Sequence, residues 1–531
     1  SLSDEDIYKF ENESITYFQR DISGLESETK RLAAHNFLKV LQRHFSEQLT
    51  SVFKEACQEL LNTYNQNPDE SWKDMDTAMF IMDIILGKVV HYNQGVITAV
   101  EGFDLSEFIN GFIIPQLGSK FPLLQADALK FLVDYRMVID PSTIFELFPE
   151  IAKLLFVTDS PVPLYTAYFI DRIMLCEKFY SEGPILFQNI DVAAVVKRLF
   201  EIFNVDGELN LIAARCLLRI VVYGKSSISE QIIGIVSTCV KFLSDLCETK
   251  LTDPTFNHFL FEIIVAAVTK VGVPVTEIED DVIKLLDKII SNDISEFVPY
   301  VYQIIGCFLL HYPDDVLQAN GESFYVTSFT TFLEPPRWLA MGNIPALAIL
   351  VQAYCIKLGS LVADNIGPIF EICEHLLQGT RSHPHAFMIF VSIIRFLPNE
   401  FVLSIMPKIY ELVVAQLSNQ ELRKYRQSFA IFMSDACYFL GPDNAINLLG
   451  EDAEGIISCW SESLPLIRGR HELESAISGS IRTLLESTVL PQNLWEQLFV
   501  GTVKTLECPS QNAINEDIAV IKIEEQDAKE F

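Results

Sequence analysis

The chain has 531 residues, with 39 Lys and Arg against 71 Asp and Glu, which gives a formal net charge of −32. Half of the residues are hydrophobic and the mean hydropathy is +0.25. This composition excludes a disordered chain, because disordered chains lack the apolar surface that folding buries. The charge disfavours nucleic acid and anionic membranes as partners, since both are bound through Lys and Arg. A basic protein is the partner that such a charge attracts.

The chain begins with an acidic, weakly periodic segment, residues 1–30, which we expect to be an insertion that precedes the first complete helix. Its first ten residues, SLSDEDIYKF, have neither the basic region nor the apolar region of a signal peptide. They also lack a starting Met, so we expect a fragment of a longer protein.

Apolar residues at i, i+3, i+4 and i+7 predict α-helices along nearly all of the remaining chain. Strongly apolar helices are predicted to begin near Ala33, Asp76, Ala126, Thr166, Asn210, Phe256, Pro299, Asn343, His385, Tyr425 and Ala476. They recur about every 44 residues, and a second helical pattern lies between successive members. A helix pair of 40–47 residues is the period of HEAT and armadillo repeats.

This period predicts an all-α fold, a right-handed HEAT-repeat superhelix of antiparallel helix pairs. About eleven repeats are expected to form one continuous solenoid over residues 31–507. An insertion at residues 91–106 and an acidic tail or loop at residues 508–531 interrupt or follow it. The alternative is a set of unrelated helical bundles. Stacked repeats are favoured because one helical hairpin cannot bury its own apolar face.

Several local patterns resemble catalytic, metal-binding or membrane-spanning segments. Gly224–Ser226 reads GKS, but Arg219 stands where a phosphate-binding loop needs its first Gly, so a turn between helices is predicted. Residues 338–356 are uncharged but interrupted by polar residues, Gly and Pro, and a buried helix is predicted rather than a membrane span. His383 and His385 lie at a helix start and lack further metal ligands in sequence. The sequence therefore predicts no enzyme, cofactor or metal site.

The eleven Cys residues are scattered singly along the chain, with no CxxC pair. Their number is odd and most have Leu, Ile or Val as neighbours. This pattern predicts buried, reduced thiols in a reducing compartment rather than a disulfide framework.

Six stretches resemble one family in order and spacing. PTFNHFLFEII (254–264), ISEFVPYVYQII (294–305) and GNIPALAILVQAY (342–354) resemble three successive repeats of the cellular apoptosis susceptibility family, the exportins of importin-α in the importin-β (karyopherin-β) superfamily. Residues 10–38, 95–117 and 121–136 resemble earlier parts of the same family. The resemblance covers nearly the whole chain and weakens beyond about Tyr425.

The resemblance implies a non-catalytic nuclear export receptor that carries importin-α back to the cytoplasm in a cooperative complex with Ran-GTP. Such a receptor shuttles between nucleus and cytoplasm through the nuclear pore, which makes nucleoporins possible further partners. Nucleic acid binding and membrane insertion are not expected. Two alternatives remain open: an importin-β-type carrier with different cargo, and a HEAT scaffold such as a phosphatase regulatory subunit.

By the same resemblance, the chain corresponds to the middle and C-terminal part of the family. Residues 1–30 resemble the acidic insertion in the family's eighth repeat, and Glu516–Glu530 resembles the acidic loop in its nineteenth. The N-terminal arch that grips Ran-GTP is expected to be missing. Ran binding by this chain alone is therefore expected to be weak or absent.

The resemblance also suggests which residues contact partners. Those in the two acidic segments are Asp4, Glu5, Asp6, Glu11, Glu13, Glu516, Asp517, Glu524, Glu525 and Asp527. The alternative for them is a solvated run of charges. Asn257, His258 and Glu262 are further candidates, for which capping or packing of helices is the alternative.

Overall fold

The computed structural model describes residues 2–23, 30–91, 94–101, 103–158, 160–180, 183–205, 208–249, 253–319, 323–417 and 423–507. These residues form two compact units. The N-terminal unit comprises the described residues up to Val273 together with Asp280–Val282. The C-terminal unit comprises Pro274–Glu279 and the described residues from Ile283 onward.

Nearly all of the described secondary structure is helical. The α-helices as far as residue 266 are α1 (Asp4–Asn12), α2 (Ser14–Ser23), α3 (Lys30–Gln66), α4 (Trp72–Leu86), α5 (Leu105–Phe108), α6 (Pro122–Asp134), α7 (Pro141–Lys153), α8 (Val162–Met174), α9 (Glu177–Tyr180), α10 (Gly183–Leu186), α11 (Val192–Glu201), α12 (Leu211–Gly224), α13 (Ile232–Thr249) and α14 (Pro254–Ala266). Those that follow are α15 (Glu279–Ser291), α16 (Val298–His311), α17 (Asp314–Ala319), α18 (Phe324–Phe332), α19 (Ile344–Lys357), α20 (Gly359–Asp364), α21 (Ile366–Gln378), α22 (His383–Phe396), α23 (Asn399–Leu417), α24 (Arg423–Leu440), α25 (Pro442–Asn447), α26 (Ala453–Ser463), α27 (Arg470–Glu486) and α28 (Gln492–Glu507).

Short irregular helices and two hairpins connect these elements. The strands are β1 (Gly87–His91), β2 (Gly95–Ala99), β3 (Asn204–Val205) and β4 (Glu208–Leu209), paired antiparallel as β1–β2 and β3–β4. The 3₁₀ and π turns are Ile109–Ile113, Ile114–Gly118, Leu154–Phe156, Lys225–Ile228, Ala267–Val271, Val275–Glu277, Pro335–Trp338, Gly450–Asp452 and Leu464–Leu466. The turn Lys225–Ile228 directly follows α12, as predicted for the GKS sequence.

The predicted apolar helices are present, and the predicted fold class, all-α HEAT-type helix pairs, is confirmed. In the N-terminal unit α3, α4, α6, α8, α12 and α14 form a series in which each helix packs on the next. In the C-terminal unit α16, α19, α22, α24 and α27 do the same. We call these the stacking helices. That the repeats form one continuous solenoid from 31 to 507 stays a prediction.

Several stacking helices, among them α14, α16 and α19, are apolar around most of their circumference, which contributes to the high hydropathy of the chain. In α19, Leu347, Ala348 and Ala353 are all buried although they lie on different sides of the helix. A helix that is hydrophobic all round must be covered by neighbours on several sides. The prediction of a buried helix in residues 338–356 is confirmed from Ile344 onward, whereas Leu339 and Met341 before it are exposed. In the described part of the chain, no helix is long and apolar enough to cross a membrane.

Ion pairs join stacking helices at intervals of one repeat. Arg31 of α3 donates from Nη1 and Nη2 to the two carboxylate oxygens of Asp76 in α4, at 2.9 and 2.8 Å. In the C-terminal unit Arg395 of α22 donates to Asp435 of α24 at 2.9 Å. Both carboxylates are buried. A buried carboxylate needs a partner, so each pair favours one register between adjacent helices.

Two segments differ from expectation. Residues 1–30 were expected to precede the first complete helix, but they contain α1 and α2. The acidic residues that suggested a solvated insertion partly encode a helix start. Ser3 Oγ accepts from the N–H of Asp6, whose carboxylate accepts from the N–H of Ser3, both at 3.2 Å. This reciprocal capping box satisfies N–H groups that the first turn leaves free. The negative charges of the acidic residues there also interact favourably with the positive end of the helix dipole.

The second difference concerns the predicted insertion at 91–106. Its first part belongs to a β-hairpin that begins earlier, at Gly87, and ends at Ala99. Gly95 opens β2 with a φ of +75°, and a Cβ at this position would lie 2.3 Å from the backbone oxygen of Asp134. A helix-period search did not detect the hairpin because its two strands are only five residues each.

The described cysteines are free thiols. All are buried except Cys247 and Cys459, which are partly buried, in agreement with the sequence pattern. Cys508 lies outside the described residues. Among the described residues, no group of His, Cys, Asp and Glu is arranged to hold a metal ion.

A close backbone approach between α27 and α24 can be tested by substitution. A Cβ on Gly479 would lie 2.1 Å from the backbone oxygen of Ser434. We expect Gly479→Ala to lower the free energy of unfolding by about 1–3 kcal/mol, because the helices must separate to admit the methyl group. Denaturant unfolding followed by circular dichroism measures the change.

The matched control is Gly455→Ala in α26, where a Cβ would meet nothing within 4 Å. This variant should be as stable as the parent or up to about 1 kcal/mol more stable, because Ala favours a helix over Gly. Equal unfolding free energies for the two variants would contradict the close approach.

Candidate partner-binding surface

The acidic N-terminal segment is docked on the stacking helices of its own unit. The ring of Phe18 in α2 packs edge-on against Tyr165 and Tyr168 of α8, with centroids 5.0 and 6.0 Å away. Within the segment, Phe10 and Tyr17 are buried against each other at 5.3 Å. Phe10, Tyr17 and Phe18 thus face inward, whereas Glu11 and Glu13 between them are exposed.

Polar contacts add to this docking. The carboxylate of Asp21 accepts from Lys130 Nζ of α6 at 2.7 Å and from the Tyr165 hydroxyl of α8 at 2.9 Å. Burial opposes ionisation of Asp21, but Lys130 and Tyr165 outweigh it and lower the pKa of this carboxyl. Asp21 is therefore a charged anchor between α2 and two stacking helices.

The predicted contact residues of this segment divide into two groups. Three have partners within the chain: Asp4 pairs with Lys73 at 3.2 Å, Glu5 with Lys9 at 2.6 Å, and the capping residue Asp6 with Arg20 at 3.6 Å.

The other two residues are Glu11 at the end of α1 and Glu13 just beyond it, and both are exposed to solvent. They are the carboxylates of this segment that are best placed to meet a basic partner. The predicted tail contacts Glu516, Asp517, Glu524, Glu525 and Asp527 lie outside the described residues.

The predicted contacts on α14 are mostly inside the N-terminal unit. Asn257 and His258 are 1% and 4% exposed, and His258 Nε2 lies 3.2 Å from Glu262 Oε1. Glu262 retains 14% side-chain exposure. This burial favours the alternative that these residues pack the helix.

Sequence reasoning missed a group of carboxylates on the stacking helices α4 and α6. Asp83 has its pKa raised to about 8, first by burial and then by the negative charge of Asp134. Burial and neighbouring Asp76 also raise the pKa of Asp127 well above its usual value. The signal in the sequence was an Asp within a strongly apolar helical segment, where a charged side chain is not expected. Asp76, Asp83 and Asp127 each lie in such a segment.

The arrangement of these residues is suited to binding. Exposed carboxylates lie on the outside of a docked helix pair, and the buried charges beneath it are engaged mainly with one another. Such a surface can attract and orient a basic segment, with long-range attraction from the net charge of −32.

Comparisons with known proteins identify relatives along the whole chain. The profile of the family described as "CAS/CSE protein, C-terminus" matches residues 184–531, and the profile described as "Cse1" matches residues 1–170. Exportin-2 of Homo sapiens is 26% identical over 547 residues, which cover 97% of this chain and 55% of that protein. Exportin-2 of Bos taurus shows the same identity and coverage.

Among solved structures, "The exportin Cse1 in its cargo-free, cytoplasmic state" matches with a TM-score of 0.79 and 20% identity. The match covers 98% of this chain and 56% of that one, and it supports the fold assignment. The chain spans about half the length of the curated relatives that it matches.

The raised pKa of Asp83 predicts a pH dependence of stability. The folded-state pKa of about 8 lies above the ordinary Asp value of 3.8, so the folded chain holds a proton that the unfolded chain releases between these pH values. Stability contributed by this group is present at low pH and is lost as the pH rises toward about 8. Asp83→Asn cannot ionise, so its unfolding free energy should rise relative to the parent between about pH 4 and pH 8.

Denaturant unfolding at several pH values measures this difference. Glu59→Gln, at an exposed position on α3, is the control and should follow the pH profile of the parent. A constant difference between Asp83→Asn and the parent across the range would show that Asp83 does not titrate as described.

Proposed function

This chain belongs to the CAS/CSE family of the karyopherin-β superfamily, and on that premise we propose that it acts in nuclear export of importin-α. In this proposal it binds importin-α cooperatively with Ran-GTP, shuttles between nucleus and cytoplasm, and carries out no chemistry of its own. The observation that supports this most strongly is the pair of collinear family matches, which leave only residues 171–183 between them.

The stacked helices suit a cooperative carrier. In a repeat array each helix pair contacts mainly its neighbours, so small rotations at successive contacts add up to a large change in curvature. If importin-α and Ran-GTP favour the same curvature, each raises the affinity of the other by the same factor. Coupling of this kind is typically ~1–3 kcal/mol and is reciprocal.

Electrostatics supports the choice of cargo. Importin-α carries a segment rich in Arg and Lys, which a chain with a net charge of −32 attracts. Glu11 and Glu13 lie exposed on the outside of the docked helix pair. The attraction is expected to weaken as salt rises, because the Debye length falls to about 8 Å at physiological ionic strength.

The function is tested by calorimetric titration of this chain, and of a full-length family member containing it, with importin-α. Each titration is made with Ran-GTP, with Ran-GDP and without Ran. We expect Ran-GTP to raise the affinity of the full-length protein for importin-α about 5- to 150-fold, whereas Ran-GDP should have no such effect. This chain alone should show a smaller dependence on Ran-GTP.

Importin-α binding of equal strength under all three conditions would contradict a Ran-dependent carrier and favour a scaffold. Absence of importin-α binding, with Ran-GTP binding retained, would favour a carrier of different cargo. As a reciprocity check, importin-α must raise the affinity for Ran-GTP by the same factor.

A second prediction concerns the exposed carboxylates of the docked helix pair. We expect the double substitution Glu11→Lys and Glu13→Lys to lower the affinity for importin-α at low salt by about 3- to 30-fold, because two attractive charges become repulsive. Titration at low and high salt should show the loss shrinking as salt rises.

The matched control is Glu371→Lys with Glu374→Lys, two exposed residues on α21, which changes the net charge equally at a distant place in the chain. An equal loss in both double variants would mean that only net charge matters. An unchanged affinity in the first variant would exclude Glu11 and Glu13 as contacts.

A further inference from the structure

The N-terminal unit contains a group of arginines that the overall acidity of the chain does not suggest. Asp171 of α8 has no exposed side-chain surface and is within 3.8 Å of Arg172, 3.0 Å of Arg215 and 3.3 Å of Arg219. These guanidinium groups hold the pKa of Asp171 below its usual value in spite of burial. Several arginines on α8 and α12 therefore share this one buried carboxylate.

The pairing of two of these arginines is incomplete. The Nε atoms of Arg172 and Arg215 are buried and have no hydrogen-bond partner. The pKa of Arg215 is lowered, first by burial and further by the positive charges of Arg172 and Arg219, against the attraction of Asp171. The repulsion between these cations is reduced when another anion binds beside them.

The side chains of these two arginines are not fully covered by the protein. The side chains of Arg172 and Arg215 keep 22% and 14% of their exposure. Arg172 also lies over the ring of Tyr168, 5.3 Å from its centroid. A planar cation held between an aromatic ring and a carboxylate is restricted in orientation, so little side-chain entropy is lost when it binds a ligand.

We propose that Arg172 and Arg215 form a docking point for a carboxylate side chain in an acidic segment of a partner protein. A guanidinium fork matches the two oxygens of a carboxylate, and a planar donor pair of this kind is specific as well as strong. The site fits an acidic segment, whereas the surface around Glu11 and Glu13 fits a basic one. It thus gives this chain a second kind of contact beyond the proposed export function.

The test uses the full chain and a fluorescein-labelled hexaglutamate peptide, with binding followed by fluorescence anisotropy. Salt of about 0.15 M screens the long-range repulsion between peptide and protein, while contacts within a few ångströms persist. We expect saturable binding that Arg172→Gln weakens about ten-fold. Arg172→Lys keeps the charge and should bind more tightly than Arg172→Gln.

Arg172→Gln leaves Asp171 paired with Arg215 and Arg219, and circular dichroism checks that the variant is folded. The matched control is Arg470→Gln on α27, which removes an arginine from an exposed ion pair with Glu474. It should bind hexaglutamate as the parent does. Absence of binding by the parent, or equal affinity of the parent and Arg172→Gln, would overturn the proposal. An equal loss in Arg470→Gln would do so as well.

The test contains neither importin-α nor Ran. Failure of the arginine site would therefore leave the export function standing, and failure of the export function would leave the arginine site standing.

Discussion

The structure depends on one constraint: the apolar surface of each helix pair can be covered only by the pairs next to it. Stacking helices such as α14, α16 and α19 carry apolar side chains around most of their circumference, and each fully buried Leu, Ile, Val or Phe contributes about 1.5–3 kcal/mol. Within each unit, successive contacts between the stacking helices bury this apolar surface.

Charges buried between the stacking helices add specificity to this packing. An apolar contact tolerates sliding, whereas Arg31 with Asp76, or Arg395 with Asp435, makes directed hydrogen bonds in one register only. Where pairing is incomplete, as among Asp83 and Asp127, the groups have raised pKa values and reduce stability at neutral pH. These directed contacts therefore favour the same helices as neighbours along the stack.

The acidic residues of the chain have different roles at different positions. In α1 the acidic residues partly form a helix cap, and Asp21 is an internal anchor to Lys130 and Tyr165. Glu11 and Glu13 remain exposed and can steer a basic partner. Around Asp171 the local charge is positive, so a net charge of −32 does not describe every surface. The kind of partner that a surface binds is therefore inferred from the charges near that surface, because charges more than a Debye length away are screened.

The sequence by itself determined the helical class, the repeat of about 44 residues and the family, because these depend on residue order along one chain and on the period of the α-helix. Only the tertiary structure showed that α1 and α2 dock through Phe18 and Asp21, or that Asn257 and His258 are buried. It also brought Arg215 to Asp171, more than forty residues away in sequence. Such contacts depend on which faces of neighbouring repeats meet, and hydrophobic periodicity cannot specify the partner of a charged side chain.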